Sequence, residues 1–332
     1  MNAKDSGKDT AADHAAKVMA GDRRALARAI TLIESTRPDH RRQAEALLEQ
    51  LLPKSGKSLR IGISGPPGVG KSTFIEAFGQ YAISQGKRLA VLAVDPSSRV
   101  SGGSILGDKT RMEELSRAPE AFIRPSPAGL TLGGVARRTR EALLVCEAAG
   151  FDLIVVETVG VGQSETAVAE MVDLFLLLLL PGGGDDLQGI KRGIMELADL
   201  IVVNKADGDL KPAAERSAAD VANAMGLMQP RHKAWRPEVL RCSALKRTGI
   251  AEIWDRAQAF AQTLTKSGEL KSRRRDQAKA WLWHELSDSL MDALKADPVV
   301  AAKLGAFEAK VGTGKMAPAT AARVLLSEFL GS

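Results

Sequence analysis

The order of apolar and polar positions changes character twice along the chain. Residues 14 to 52 space their apolar side chains helically, with Leu26, Ile30 and Ile33 followed by Ala44, Leu47, Leu48 and Leu51, and Pro53-Lys54-Ser55-Gly56 ends the pattern. From Leu59 short apolar runs take over: Ile61-Gly62-Ile63, Leu89 to Val94, Leu153 to Val156, Leu174 to Leu180, Leu200 to Val203 and Val239-Leu240. Helical stretches separate them, and such alternation predicts a mostly parallel sheet with helices on both faces. After about Ala257 the strand signal stops, and the basic run Lys271 to Arg275 leads into Trp281, Trp283, Leu286, Leu290 and Leu294 at helical spacing. The predicted organisation is a helical N-terminal extension over 1–56, an α/β domain over 57–266 and a C-terminal helical arm over 267–332.

Composition narrows the class without naming a function. The 332 residues are 45% hydrophobic and 26% charged, ordinary globular usage. The net charge of +6 is spread over a long chain and gives no ground for nucleic-acid binding. The longest apolar run, Leu174 to Leu180, is far below the ~20 residues of a spanning helix, so no membrane segment is expected. Lys4, Asp5, Lys8, Asp9 and Asp13 leave no apolar core for a secretory signal. Two cysteines, Cys146 and Cys242, exclude a disulfide framework and suit a reducing, cytoplasmic setting.

The chemistry concentrates where the apolar runs end. Gly65-Pro66-Pro67-Gly68-Val69-Gly70-Lys71-Ser72 fits G-x-x-x-x-G-K-[ST] and lies between the run Ile61-Gly62-Ile63 and a helical stretch from Ser72 to Ala82, the context the motif requires. Backbone N–H groups converge on phosphates there, with Lys71 reaching the β/γ oxygens and the Ser72 hydroxyl ligating Mg²⁺, while Thr73 continues the site. Gly312-Thr313-Gly314-Lys315 also carries a Gly-Lys pair, but Met316 follows it and no strand precedes it, so it reads as a surface turn.

Leu200 to Val203 runs into Asn204-Lys205-Ala206-Asp207, an N-K-x-D arrangement. A carboxylate only accepts hydrogen bonds, so Asp207 selects a base with donors at N1 and N2, which is guanine. Asn204 braces the loop, and the Lys205 stem lies over the purine face. Ser243, Ala244 and Leu245, after Val239-Leu240, are placed to offer a backbone N–H to guanine O6. The expected ligands are therefore GTP and GDP with Mg²⁺.

Glu157 ends the Leu153 to Val156 run and precedes Thr158-Val159-Gly160, which suits a metal-linked loop whose Gly160 N–H senses the γ-phosphate. Asp95 ends another run, and Asp108 follows a glycine-rich stretch. With Ser72 and Glu157 these carboxylates make an oxygen-rich set appropriate to Mg²⁺, unless Asp95 or Asp108 positions the attacking water or Asp108 caps a helix. Lys71, Asp95, Asp108, Glu157 and Gly160 are the catalytic candidates. Val161 stands where many small GTPases carry a water-orienting Gln, so slow intrinsic hydrolysis with partner stimulation is expected. Pro181 to Lys191, with Asp185, Asp186, Gln188 and Lys191, reads as a third switch loop or as a plain flexible connection.

Taken together, Asp95-Pro96-Ser97-Ser98, Ser101 to Met112, Glu157 to Glu165 and Leu180 to Lys191 resemble the MeaB/ArgK family of P-loop GTPases over residues 15 to 330. The resemblance implies a chaperone of adenosylcobalamin-dependent methylmalonyl-CoA mutase. GTP hydrolysis would gate cobalamin loading and protect the mutase from inactivation. It also implies a homodimer made through the C-terminal arm. The alternative is a metallochaperone-type GTPase for another metalloenzyme, which should carry a His-rich tract; the four histidines here are scattered. A protein-targeting GTPase needs a Met-rich groove, and the nine methionines are scattered too. A kinase using ATP is disfavoured by Asp207.

Overall fold

The computed structural model describes residues 10–94, 112–125, 132–158, 164–182 and 192–331. Among the described residues seven strands form one parallel sheet: β1 (Leu59–Ser64), β2 (Leu89–Val94), β3 (Ala121–Arg124), β4 (Leu153–Thr158), β5 (Leu174–Leu179), β6 (Leu200–Val203) and β7 (Glu238–Arg241). Their order across the sheet is β3-β2-β4-β1-β5-β6-β7, with every pairing parallel. Strands β2, β4 and β5 are buried along their whole length, which is why they read as unbroken apolar runs. The expected parallel sheet is present. β3 was not anticipated, because its four residues bury only Ala121 and Phe122 and so carry a weak apolar signal.

Helices α1 (Ala11–Met19), α2 (Arg23–Glu34) and α3 (Pro38–Leu51) form the N-terminal segment. Each of the first two starts on a side-chain cap: Thr10 and Asp13 make a reciprocal capping box, and Asp22 accepts from the N–H groups of Arg24 and Ala25. Their apolar stripe, including Leu26, Ile30, Ile33, Leu47 and Leu51, is fully buried and covers α6 (Leu132–Ala148). On the other face α4 (Lys71–Ser84) and α10 (Ile250–Ser267) pack together, and the rings of Phe74, Phe78 and Trp254 meet at centroid distances of 5.6 and 5.7 Å. The remaining helices are α5 (Glu113–Arg117), α7 (Ser164–Ala169), α8 (Arg192–Met195), α9 (Lys211–Gly226), α11 (Glu269–Ala296), α12 (Pro298–Gly312) and α13 (Pro318–Gly331).

The N-terminal edge of the sheet carries its charges. Arg60 at the start of β1 and Glu147 near the end of α6 form a bidentate pair at 2.9 Å, with side chains 5% and 0% exposed, and Glu147 also accepts from the Gly56 N–H. Three aspartates just before or at strand starts repeat one arrangement. Asp152 accepts from Arg88 N beside β2, Asp173 from Arg60 N in β1 and Asp199 from Phe175 N in β5, at 2.8–2.9 Å.

The chain divides into two compact units, one ending at Arg274 and one beginning at Arg275. In the second, α12 and α13 pack on each other around Val300, Ala321 and Leu325, and Lys303 pairs with Glu328 at 2.7 Å. Leu282, Trp283, Leu286, Leu290 and Met291 of α11 stay exposed. The segment Gly312 to Lys315 forms the expected turn, with Gly314 at φ 66° and the Lys315 N–H bonded to Lys310 O. Among the described residues no helix is long and apolar enough to cross a membrane.

Candidate nucleotide site

The loop from Gly65 to Gly70 joins β1 to α4, and its backbone demands glycine. Gly65 has φ 153° and sits so close to β5 that a Cβ would meet Leu178 O at 2.5 Å. Gly70, in the left-handed region at φ 91°, caps the start of α4. The chain thus turns tightly at the C-terminal end of the sheet and delivers the positive end of a 14-residue helix to the crevice.

Lys71 and Ser72 open that helix. The Lys71 ammonium donates to Gly65 O at 2.7 Å and Pro66 O at 3.3 Å, folding back over its own loop. Burial draws its pKa below the ordinary lysine value, and the carboxylates of Glu157 and Glu165 pull it back up. The Ser72 hydroxyl donates to Glu157 Oε1 at 3.3 Å across 85 residues of sequence, so the hydroxyl and the acid expected to share a metal do meet. Glu157 is buried near the end of β4, and the next residue, Thr158, donates to Ser64 Oγ at 2.9 Å, tying the ends of β4 and β1.

Asn204 joins the phosphate loop to the base loop. Its amide donates to Val69 O at 2.9 Å and its carbonyl accepts from Ala244 N at 3.0 Å, with the Cys242 thiol at 3.4 Å. Lys205 takes the left-handed conformation at φ 57°, which turns the chain so that Ala206 N reaches Cys242 O at 2.9 Å. Gly70, Thr73, Asn204, Lys205, Asp207, Ser243, Ala244 and Leu245 line one pocket of about 280 Å³. Eight separately nominated residues from three stretches of sequence therefore converge.

Leu210 also lines the pocket and was not anticipated; an apolar residue three past Asp207 carries no motif signal. Glu165, in the first turn of α7, is fully buried and acts electrostatically on Lys71, although sequence reasoning placed it only inside a longer motif. Arg247, at φ 55° in the base loop, donates through Nη2 to both carboxylate oxygens of Glu114 of α5, at 2.7 and 2.8 Å. Glu76 of α4 accepts from Leu115 N at 3.0 Å, and burial holds its carboxyl above the usual range. Asp95, Asp108, Gly160, Asp185, Asp186, Gln188 and Lys191 lie outside the described residues.

Residues present fit a nucleoside triphosphate with a magnesium ion. The cradle has no room for a Cβ at Gly65, a cation stands on it, and a hydroxyl and a carboxylate are paired beside it.

Residues 26–299 match the family model described as methylmalonyl-CoA mutase-associated GTPase MeaB. A Caulobacter vibrioides protein is 56% identical over 314 residues, covering 94% of this chain and 96% of the relative. The mouse methylmalonic aciduria type A homolog, named as mitochondrial, is 52% identical over 319 residues, 93% of this chain and 77% of its own. The Escherichia coli GTPase ArgK is 50% identical over 288 residues, 87% of each. A solved structure titled as a LAO/AO transport system kinase superposes with a TM-score of 0.76 at 40% identity, covering 97% of this chain and 98% of that one.

Proposed function

This chain belongs to the MeaB family of methylmalonyl-CoA mutase-associated GTPases, and from that premise we propose that it is the GTP-driven chaperone of an adenosylcobalamin-dependent methylmalonyl-CoA mutase. GTP binding and slow hydrolysis gate cobalamin loading and protect the mutase from inactivation. The observation that carries this reading is the Asn204 bridge, which makes the phosphate loop and the guanine loop a single receptor.

In that receptor Asp207 accepts from the guanine N1–H and N2–H₂, and the Ser243-Ala244-Leu245 turn, whose Ala244 N–H is held by Asn204, offers a backbone N–H to O6. Lys71 exchanges its bonds to Gly65 O and Pro66 O for the β/γ-phosphate oxygens. Ser72 and Glu157, together with Asp95 or Asp108, would hold Mg²⁺, which when bound would supply charge neutralisation for phosphoryl transfer. Gly160 donates to the γ-phosphate, and residues 185 to 191 carry the state outward to the mutase. Val161 leaves the attacking water without the usual amide, so turnover is slow alone and accelerated by the mutase.

The exposed row Leu282, Trp283, Leu286, Leu290 and Met291 supports self-association through the C-terminal helices as a homodimer. Two buried, unpaired thiols suit the cytoplasm. The test is turnover of GTP and ATP with and without the mutase. Preference for GTP with stimulation by the mutase is expected. Preference for ATP, which the kinase title of the solved relative would suggest, or indifference to the mutase overturns the reading.

A further inference from the structure

Among the described residues only Lys205 and Arg247 are non-glycine residues in the left-handed region, at φ 57° and 55°, and both stand in loops that border the nucleotide pocket. A residue with a Cβ keeps such a conformation only where its surroundings dictate it. Around Arg247 the surroundings are a closed turn. Ser243 and Thr248 exchange two backbone hydrogen bonds at 3.1 Å, Ser243 Oγ accepts from Lys246 N at 3.1 Å and Ala244 O accepts from Arg247 N at 3.4 Å. The exit is fixed as tightly, because a Cβ on Gly249 would meet Arg241 O at 2.4 Å. With Ala244 N held by Asn204, the turn from Ser243 to Thr248 has one amide with no acceptor among the described residues, that of Leu245. Leu245 lines the pocket, so its N–H is the donor this turn has left to offer guanine O6.

The turn is held from two sides. Asn204 grips it from the interior, and on the exterior Arg247 Nη2 donates to both carboxylate oxygens of Glu114 in α5, at 2.7 and 2.8 Å. That exterior anchor is itself fixed. Glu76 of α4 accepts from Leu115 N at 3.0 Å, and Gly79 lets the Leu115 side chain come so near that a Cβ there would meet it at 2.8 Å. Helix α4 begins with Lys71 and Ser72, so Glu114 stands at a set distance from the phosphate loop. Burial and the neighbouring Glu114 carboxylate raise the Glu76 pKa, and the Arg247 guanidinium lowers it, so this cation also offsets the crowding of two acids.

We propose that Arg247 is a positioning residue for guanine recognition, which by gripping Glu114 sets the distance between the phosphate loop and the Ser243–Thr248 turn with its Leu245 N–H. Preference for a purine bearing O6 then depends on an ion pair outside the pocket, given the guanine-site reading on which this rests.

The test is titration calorimetry of the full-length protein with Mg²⁺ at low ionic strength, in wild type, Arg247→Asn, Glu114→Ala and the two together. Asparagine tolerates the left-handed backbone, so Arg247→Asn removes the grip and keeps the turn. Two ligands are compared: GDP, and 2-aminopurine riboside diphosphate, which keeps the N2 amine and lacks O6. Each single variant should weaken GDP by about two- to fivefold, the range an exposed ion pair supports, and the double variant should weaken it no further. The analogue, which makes no use of the O6 donor, should bind all four proteins alike. Unchanged GDP affinity in the single variants, or losses that multiply in the double, overturns the proposal. Equal weakening of GDP and the analogue shows a general loosening of the fold and overturns it as well. If Arg247→Asn does not fold, Glu114→Ala decides alone. A wild type that binds GDP and the analogue equally well overturns the guanine-site reading together with the proposal, whereas GDP preference that survives every variant overturns the proposal only.

Discussion

Replacing Asn204 by alanine tests whether the phosphate loop and the base loop are one receptor. The side chain is 2% exposed and serves two buried backbone groups, accepting from the Ala244 N–H and donating to the Val69 carbonyl. Alanine leaves both without partners. A buried polar group stripped of its hydrogen bond costs about 1–3 kcal/mol, so the pair should cost about 2–6 kcal/mol. In the proposed complex the nucleotide touches both loops, so part of that loss should reappear in affinity, where each 1.4 kcal/mol is about tenfold. Urea unfolding followed by tryptophan fluorescence reads the first quantity, because Trp235 and Trp254 are buried in the same unit. Titration calorimetry with a non-hydrolysable GTP analogue reads the second. Asn204→Asp separates the two bonds. It retains an acceptor for Ala244 N but, when ionised, faces the Val69 carbonyl with another acceptor. Protonation restores a donor, so the deficit of the aspartate variant should shrink as the pH falls through its raised pKa, while that of the alanine variant stays constant. An Asn204→Ala protein that loses less than about 1 kcal/mol and binds the analogue normally would refute the bridge.

Other outcomes follow from groups away from the pocket. Glu147→Ala should cost about 3–5 kcal/mol in urea unfolding, since it removes the carboxylate paired with the buried Arg60 guanidinium, whereas Arg60→Met with Glu147→Leu should recover most of that loss; equal losses would show that the pair is not the cause. Glu76 has a folded pKa above its unfolded value, so the protonated form contributes stability at low pH that is lost as pH rises through the folded pKa. Glu76→Gln, which can still accept from Leu115 N, should therefore raise the melting temperature at neutral pH and leave it unchanged near pH 4; a pH-independent difference would contradict this. Burial raises both thiols, Cys242 to about 12, so neither should react with a disulfide reagent at pH 8 until the protein unfolds; rapid labelling of the native state would refute their enclosure.

What the sequence disclosed was local, and what it withheld was paired at a distance. A strand buried on both faces announces itself as an apolar run, and a phosphate loop announces itself by glycines at fixed spacing, so β1, β2, β4, β5 and β6 were legible along with the loop from Gly65 to Ser72. The edge strand β7 was legible too, from Val239-Leu240, whereas β3, of the same length on the opposite edge, was not. The meeting of Ser72 with Glu157, and of Asn204 with Val69 and Ala244, could be anticipated because all of them lie in or beside the connections at the C-terminal end of the sheet, which share one crevice. Glu165 and Leu210 reach the site through the placement of a helix and a turn, which no spacing rule encodes. Arg60 with Glu147 and Arg231 with Ala169 were invisible for the same reason: an arginine reads as surface until its partner is known.

The row of aspartates on the opposite edge of the sheet bears on how freely the nucleotide end can change. Parallel strands have no hairpin to set their alignment, and a slip of one residue would exchange the side chains that face the two helix layers. Asp152, Asp173 and Asp199 each hold one amide at the start of a neighbouring strand, so a slipped pairing would cost each carboxylate its backbone donor, two of them in the interior. Alignment is thereby decided at one edge, independently of the connections at the other. Lengthening or exchanging a connection at the nucleotide end then leaves strand alignment in place, and its effect falls on the contacts of that end, the Asn204 bridge among them.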